Sequence, residues 1–449
     1  MMAASDNGTQ GKDQIIIVGG GIGGLATAIS LAQKTNHRIR VLESSLTLEK
    51  VGAGIQITPN ASRVLCGWGL REEFEKIATV PDFMEILRYD DNRNLGLVPS
   101  NIDNFASRAW GHPHWLVHRM EYQTVLARRA SMLGINIDLD TKVSRIDPDE
   151  CAVHVANGDV LFPNLIIGAD GIHSRVRRSL PELEAITPTR GENYCYRVLI
   201  PREKMMSNPL TATLMQDPNQ QLWAGHLKHI IGYSIAQGAY YNLVLMIPDA
   251  LQDAPLSRYN QPGDVDQMRR EFVGWHASIT ALLDLAETCA KWTIAELPTL
   301  PSWTSTNGRV VLLGDAAHAM SPHAASGAAT TIEDAEVLGL CVAACASLND
   351  LPNATKMYEK IRKQRCERIQ EISRQSAMTF SMPDGPQQKG RDEAFGKRRE
   401  ILLQQLSGKE EFVVPTPDMN KPFPHPDFVT WLYGYDTAAE AKRHLHGVQ

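Results

Sequence analysis

The chain has 449 residues, which a soft prior of roughly 150 per domain divides into about three units. Hydrophobic residues make up 43% and charged residues 21%, an ordinary globular balance that excludes a wholly disordered chain. A net charge of −6, from 45 Lys+Arg against 51 Asp+Glu, leaves no basic footprint for nucleic acid, and no apolar run reaches the ~18 residues of a membrane helix.

Residues 1–12 are small and polar, as a disordered start would be. Gln14 to Val18 is a continuous apolar run stopped by glycines, the pattern of a strand buried on both faces of a parallel sheet. Leu25, Ala28, Ile29 and Ala32 follow at helical spacing, and Arg38 to Glu43 reads as a second strand. The opening therefore spells one βαβ unit. Ser62 to Ile77 and Glu121 to Leu133 read as helices, and Leu165 to Ile167 as a short buried strand. From Asn193 to Pro248 the text alternates, with strands expected at Leu222 to His226, Ile230 to Ala236 and Asn242 to Ile247. That predicts an antiparallel sheet inserted into an α/β part. Arg309 to Leu313 is another buried strand, and a helix is expected over Ala329 to Ser347. Pro352 is placed in the break before a helix over Ala354 to Ser376, and Pro383 to Gly390 reads as a linker. Trp431, Tyr433 and Tyr435 argue that the tail packs on the body.

Seven cysteines, an odd and scattered set, make a poor disulfide framework and point to a reducing compartment. The opening residues lack the pattern of a secretory signal, and the last residues match no peroxisomal or retention signal. A cytoplasmic protein is expected, with the sequons at Asn7, Asn60 and Asn353 as chance matches.

Three motifs carry chemistry. Gly19, Gly21 and Gly24 fit the dinucleotide fingerprint between the first strand and helix. Gly19 makes the tight turn, Gly21 admits a pyrophosphate to the backbone, and Gly24 lets helix pack on strand. The helix N-terminus then faces the phosphates. Glu43 ends the second strand, where a carboxylate holds a ribose diol and repels a 2′-phosphate. FAD and NAD share this ADP half, so the fingerprint fits either. The second motif is Gly314-Asp315-Ala316-Ala317-His318, running on to Pro322, directly after a buried strand. A buried Asp315 there accepts hydrogen bonds from ligand hydroxyls. The third is Gly168-Ala169-Asp170-Gly171, continuing to Arg177. A simple nicotinamide dehydrogenase needs neither, whereas FAD extends well past the first βαβ unit.

Together these motifs resemble the FAD-dependent aromatic hydroxylases, the single-component flavoprotein monooxygenases. The likeness runs from about Ile15 to Arg374 and, with Trp431 to Asp436, nearly to the end. The stretch Gly52 to Asn60, with Gly54, and the Trp303 segment make it most similar to salicylate-hydroxylase-like enzymes, including those of fungal natural-product pathways. The resemblance implies an α/β fold: a Rossmann-like FAD-binding domain with an inserted β-rich substrate domain and a helical C-terminal part. The boundaries expected are 13–190 and 290–376 for the discontinuous FAD domain, 191–289 for the insertion and 377–449 for the tail. It also implies bound FAD, NAD(P)H as co-substrate, O₂ and a small aromatic substrate, in a monomer or homodimer. Oxygen transfer to an electron-rich phenolic or indolic ring would run through a flavin hydroperoxide. A salicylate-type decarboxylative hydroxylase is the alternative, and an NAD-dependent dehydrogenase a more distant one.

By the same resemblance Glu43 meets the adenosine ribose and Arg119 contacts the FAD between its halves. Asp315 holds the ribityl and pyrophosphate region, Pro322 lies beside the isoalloxazine, and backbone near Gly327 and Ala328 meets the ring's polar edge. Asp170 matches the acid of the family's second fingerprint. The plainer alternatives are a solvated helix charge at Arg119 and a helix cap at Asp170. One departure stands out. Many relatives carry Gln-Gly-x-Gly after the proline, where this chain has His323-Ala324-Ala325-Ser326-Gly327.

Activating a phenol as its phenolate calls for a cation. Arg197 at the start of the inserted sheet fits that need, the alternative being an exposed sheet-edge arginine. Tyr233 and His229, four apart on a strand, share one face and are candidates to hydrogen-bond substrate or relay a proton. His318 and His323 with Glu333 and Asp334 fit no standard zinc spacing, so no metal is expected.

Overall fold

The structure is a computed structural model and describes residues 14–48, 53–102, 105–249, 260–408 and 413–446. Five parallel strands form the first sheet, in the order Val310–Leu312, Leu165–Gly168, Ile15–Val18, Ile39–Leu42, Asn136–Asp138. Ile15, Ile16 and Ile17 are fully buried, as a central parallel strand covered on both faces requires. Helix Ile22–Lys34 packs against helix Gly327–Ala343. The contact is close because residue 339 is glycine: a Cβ there would lie 2.2 Å from Ser30 Oγ.

The second sheet has eight strands, in the order Asn260–Pro262, Ala290–Glu296, Thr189–Pro201, Tyr240–Pro248, His229–Ile235, Gln220–Ala224, Phe83–Arg88, Asn94–Pro99. All pairings are antiparallel except that of Gln220–Ala224 with Phe83–Arg88. The hairpin 83–99 thus enters this sheet from the N-terminal side of residue 191. Alternation divides the faces. Tyr196, Val198, Trp223, Leu243 and Leu245 bury against helices that carry Met205, Met268 and Ile279 and against Phe272 in a turn between them. On the opposite face Arg197, Val244, Ile231, Leu222, Ile86 and Gly96 stand in one cross-strand row. Arg197, Val244 and Ile231 of that row face the pocket described below.

The C-terminal part is helical, with helices Leu351–Phe380, Pro386–Leu406, Pro426–Tyr433 and Thr437–His446. The tail does pack. Phe423, Phe428, Leu432 and Tyr433 are buried with Trp110, Phe380 and Phe395. Trp431 and Tyr435 lie against the guanidinium of Arg365, at 4.5 and 3.7 Å.

Three local expectations are corrected. The stretch 62–77 is two helices, Pro59–Gly67 and Arg71–Glu75, because Gly69 takes φ +79° and turns the chain between them. Pro352 lies in the first turn of helix Leu351–Phe380 rather than in a break. Pro386 likewise starts a helix inside the expected linker. Proline at a first turn costs no hydrogen bond, since that N–H has no helical acceptor. No helix among the described residues is long and apolar enough to cross a membrane.

Candidate active site

A pocket of about 340 Å³ opens where the C-terminal ends of the parallel strands meet the second sheet. Its floor is the turn after Val18. Gly19 takes φ +108°, and a Cβ there would lie 2.4 Å from the carbonyl oxygen of Ala169. A Cβ on Gly24 would lie 1.8 Å from the carbonyl oxygen of Gly19, so a side chain there would prise helix from strand. Gly21 differs. It lines the pocket, and an added Cβ would meet nothing within 4 Å. Helix Ile22–Lys34 begins there with no side-chain cap, so its first N–H groups stay available.

Further around the wall stand Arg119, Asp315 and Pro322. Gly327 and Ala328 open helix Gly327–Ala343, which also lacks a side-chain cap. A second uncapped helix N-terminus therefore faces the same space. Arg119 starts helix Arg119–Met132, is exposed, and has no ion pair among the described residues. Asp315 is exposed on the pocket wall, which corrects the expectation of a buried acid. The buried acid is Asp334, which accepts from Gly314 N–H at 3.1 Å and lies 2.6 Å from His318 Nε2.

Glu43 stands outside the lining. Its carboxylate accepts from the N–H groups of Gly20 and Ser45, each at 2.8 Å. Burial alone would raise its pKa, but these bonds hold it below the usual range. Asp170 is engaged in its own turn. It accepts from Ser174 Oγ at 2.5 Å and from the N–H groups of Arg175 and Val176. Its neighbours Ala169 and Gly171 line the pocket.

The second sheet supplies the opposite wall with Arg197, Val244, Ile231 and Tyr233. The Arg197 guanidinium stacks over Trp292, 5.1 Å from the ring centroid. Tyr233 is 4% exposed, and burial holds its hydroxyl protonated. Gly54 lets its strand approach this wall, since a Cβ would meet Tyr233 at 2.6 Å and Asn242 at 2.7 Å. His229 shares the face of Tyr233 but lies beyond the lining. Its Nδ1 is 2.7 Å from Ser381 Oγ, and its ring is 5.3 Å from that of His323. Burial and His323 push its pKa well down, so the imidazole is neutral.

Behind the pocket lies a buried charge network. Arg365 makes two hydrogen bonds of 2.9 Å to Glu333, and Arg362 reaches Glu333 at 2.7 Å and Asp334 at 2.9 Å. Cys366 Sγ is 3.8 Å from Asp334. His318, Asp334 and Cys366 approach closely enough to hold a metal, but Arg362 already supplies the cation there and would repel a second one.

The sequence matches the FAD binding domain family over residues 12–373. The FAD-dependent monooxygenase OpS4 of Beauveria bassiana is 32% identical over 429 residues, covering 95% of this chain and 96% of that one. The chain belongs to the FAD-binding flavoprotein monooxygenases. This flavoprotein is also 30% identical to the 6-hydroxynicotinate 3-monooxygenase of Bordetella bronchiseptica, over 81% of this chain and 91% of that one. Its fold is shared with CtdE in complex with FAD and a substrate, at TM-score 0.78 and 20% identity over 97% and 98% of the two chains. A salicylate hydroxylase substrate complex gives TM-score 0.75 at 21% identity, over 97% and 98%. The chain is therefore an FAD-dependent monooxygenase of the aromatic-hydroxylase type, and the dehydrogenase alternative falls away.

Sequence reasoning missed several groups in and beside the pocket of this monooxygenase. Ser321 Oγ and Asn242 Nδ2 are buried without partners, and so are single polar atoms of His114, Gln220 and His323. Ser321 falls inside the second motif and His323 directly after it, but Asn242, His114 and Gln220 lie in no recognisable motif. The signal in the text was the departure of His323-Ala324-Ala325-Ser326-Gly327 from the family's Gln-Gly-x-Gly stretch.

Proposed function

We propose that this monooxygenase transfers one oxygen atom from O₂ to an electron-rich aromatic ring, phenolic or indolic, with NAD(P)H as reductant. The resemblance to fungal natural-product enzymes extends the reading to a biosynthetic substrate. The carrying observation is one pocket bounded on one side by an open glycine turn and two uncapped helix N-termini, and on the other by Arg197 and Tyr233.

The residues fit FAD. Gly21 leaves backbone free for a pyrophosphate, because a Cβ there would protrude only into the pocket. The N-terminus of helix Ile22–Lys34 favours that negative charge. Arg119 adds a cation, and Asp315 offers an exposed carboxylate to hydroxyls. Glu43, held ionised by Gly20 and Ser45, has lone pairs left for a ribose diol. The N–H groups of Gly327 and Ala328 would meet the polar edge of a flavin ring beside Pro322. Bound FAD supplies the redox chemistry by which NAD(P)H and O₂ yield an oxygenated ring and water.

The chain's own residues then orient and activate the substrate. The ring lies against Ile231 and Val244, which exclude water from it. Arg197 stabilises a phenolate oxygen and thereby enriches the nucleophilic form. Tyr233, protonated, donates a hydrogen bond to the same oxygen. His229 is neutral and bonded to Ser381, and is able to take a proton from the substrate side and pass it outward. A substrate carboxylate against Arg197 would instead favour the decarboxylative variant.

The test is direct. Purified protein with an absorbance band near ~450 nm should release flavin on denaturation. It should consume NAD(P)H faster in the presence of a hydroxylated aromatic and give a product heavier by one oxygen. Flavin without substrate-stimulated NAD(P)H use across phenols and indoles would reject the substrate assignment.

A further inference from the structure

Beyond the flavin-facing pocket, and sharing Gln56, Ile231 and Ala325 with it, lies a small chamber of about 20 Å³. That is room for one water-sized group. Among the described residues no Lys, Arg, Asp or Glu lines it. His114 and Gln220 do, at 3% and 0% exposure. Gln56 Oε1 accepts from both, from His114 Nε2 at 3.2 Å and Gln220 Nε2 at 3.4 Å. With His114 donating through Nε2, its Nδ1 is left as a lone-pair acceptor. That atom and Gln220 Oε1 are both buried without a partner among the described residues. Such acceptors are costly to leave unmet, and each seeks a donor.

The charge state agrees. Burial pushes His114 and His323 down to about 4, so both line the chamber as neutral rings. A carboxylate offers acceptors only and would be buried there with no cation to pair it.

We propose that this chamber is a substrate subsite in which Gln220 and His114 select a neutral hydrogen-bond-donating substituent, a ring hydroxyl or ring N–H, over a carboxylate. This rests on the reading that the aromatic ring occupies the adjoining pocket. It makes the side opposite Arg197 the determinant of which ring position points inward. A ring whose hydroxyl enters the chamber is held by two acceptors, and any acidic group it carries is directed back toward Arg197.

The test uses FAD-loaded enzyme and equilibrium titration read by the change in flavin absorbance. Dihydroxybenzenes and hydroxyindoles are compared with partners in which one hydroxyl is a methyl ether or, for the dihydroxybenzenes, both hydroxyls are carboxylates. The hydroxylated member should bind at least about tenfold tighter than either partner. Gln220→Leu and His114→Phe should each shrink that ratio several-fold at unchanged FAD content. Equal or tighter binding of the carboxylates overturns the proposal, as does an unchanged ratio in both variants or no response to any hydroxylated ring. The wild-type comparison needs no substitution, so a misfolded variant does not remove the test. Binding preference without oxygenation would reject the proposed reaction and leave the subsite standing. Oxygenation without the preference would do the reverse.

Discussion

His318 Nε2 lies 2.6 Å from Asp334 Oδ2, with both side chains buried. This pair joins the turn that presents Asp315 to the helix that presents Gly327 and Ala328. Burial opposes charge on both partners. Cys366 and Asp334 nevertheless raise His318 well above 6.5, while His318 and Arg362 hold Asp334 down to about 2.

Linkage fixes the pH window. Asp334 is depressed from 3.8, so its contribution is present above about pH 4 and is lost as pH falls through its folded value. His318 is raised from 6.5, so its contribution is fully present below pH 6.5 and is lost as pH rises through its folded value. Stability to urea should therefore be greatest between about pH 4 and 6.5 as far as this pair is concerned. Asp334→Asn leaves Arg362 and His318 buried with one countercharge fewer, and should cost about 3–5 kcal/mol. Urea unfolding of wild type and variant across pH checks both. A variant within 1 kcal/mol of wild type would show the pair to be unimportant.

Asp315 is a contrasting acid. It is exposed and takes no hydrogen bond among the described residues, so Asp315→Ala should barely move the melting temperature of the apoprotein. It should weaken FAD retention roughly tenfold or more, the loss expected for bonds to a charged group. Flavin per protein after gel filtration measures this, and a full complement in the variant would remove Asp315 from the cofactor site.

Two glycines of the first turn should separate binding from folding. Gly21→Ala keeps a folded protein that binds FAD poorly, because its Cβ enters only the pocket. Gly24→Ala yields little folded protein, because its Cβ would sit 1.8 Å from the Gly19 carbonyl oxygen. Circular dichroism with flavin fluorescence distinguishes the outcomes.

The parallel strands were legible because burial on both faces writes itself as an unbroken apolar run, as at Ile15 to Val18. Asn136–Asp138 has no such run and became visible only through its pairing with Ile39–Leu42. The hairpin 83–99 was hidden for another reason. Its partner strand, Gln220–Ala224, is more than a hundred residues away, and no local pattern encodes that parallel pairing. Pro386 misled because a helix-starting proline and a linker proline look alike in sequence. At the site, Gly21, Arg119, Asp315 and Arg197 could be singled out from motif or charge. His114 and Gln220 could not, since their importance lies in unpaired buried atoms that only three-dimensional packing creates.

Ala325 carries a strain that its sequence position hides. It holds φ +49°, ψ +28° beside the pocket, a left-handed conformation that penalises a Cβ by about 1 kcal/mol. Ala325→Gly should be neutral to slightly stabilising, and Ala325→Val clearly destabilising. Thermal melts of the two variants decide this, and a stabilised valine variant would contradict it.

Arg197→Ala should lower the rate of ring oxygenation roughly tenfold to a hundredfold while leaving flavin content intact, the loss expected when a charged hydrogen bond is removed. More NAD(P)H should then be spent per product. Unchanged coupling would leave Arg197, on an interior strand, with only a packing role over Trp292.

One oxygen atom should pass from O₂ to an aromatic ring held between the flavin turn and the second sheet. Isotopically labelled dioxygen tests it most directly, with FAD-loaded enzyme, NAD(P)H and a hydroxylated aromatic that stimulates NAD(P)H use. The product should carry one labelled oxygen on the ring, and Arg197→Ala should form that same product more slowly. Product oxygen drawn from water, or hydrogen peroxide as the sole oxygen-derived product across the phenols and indoles, would contradict it.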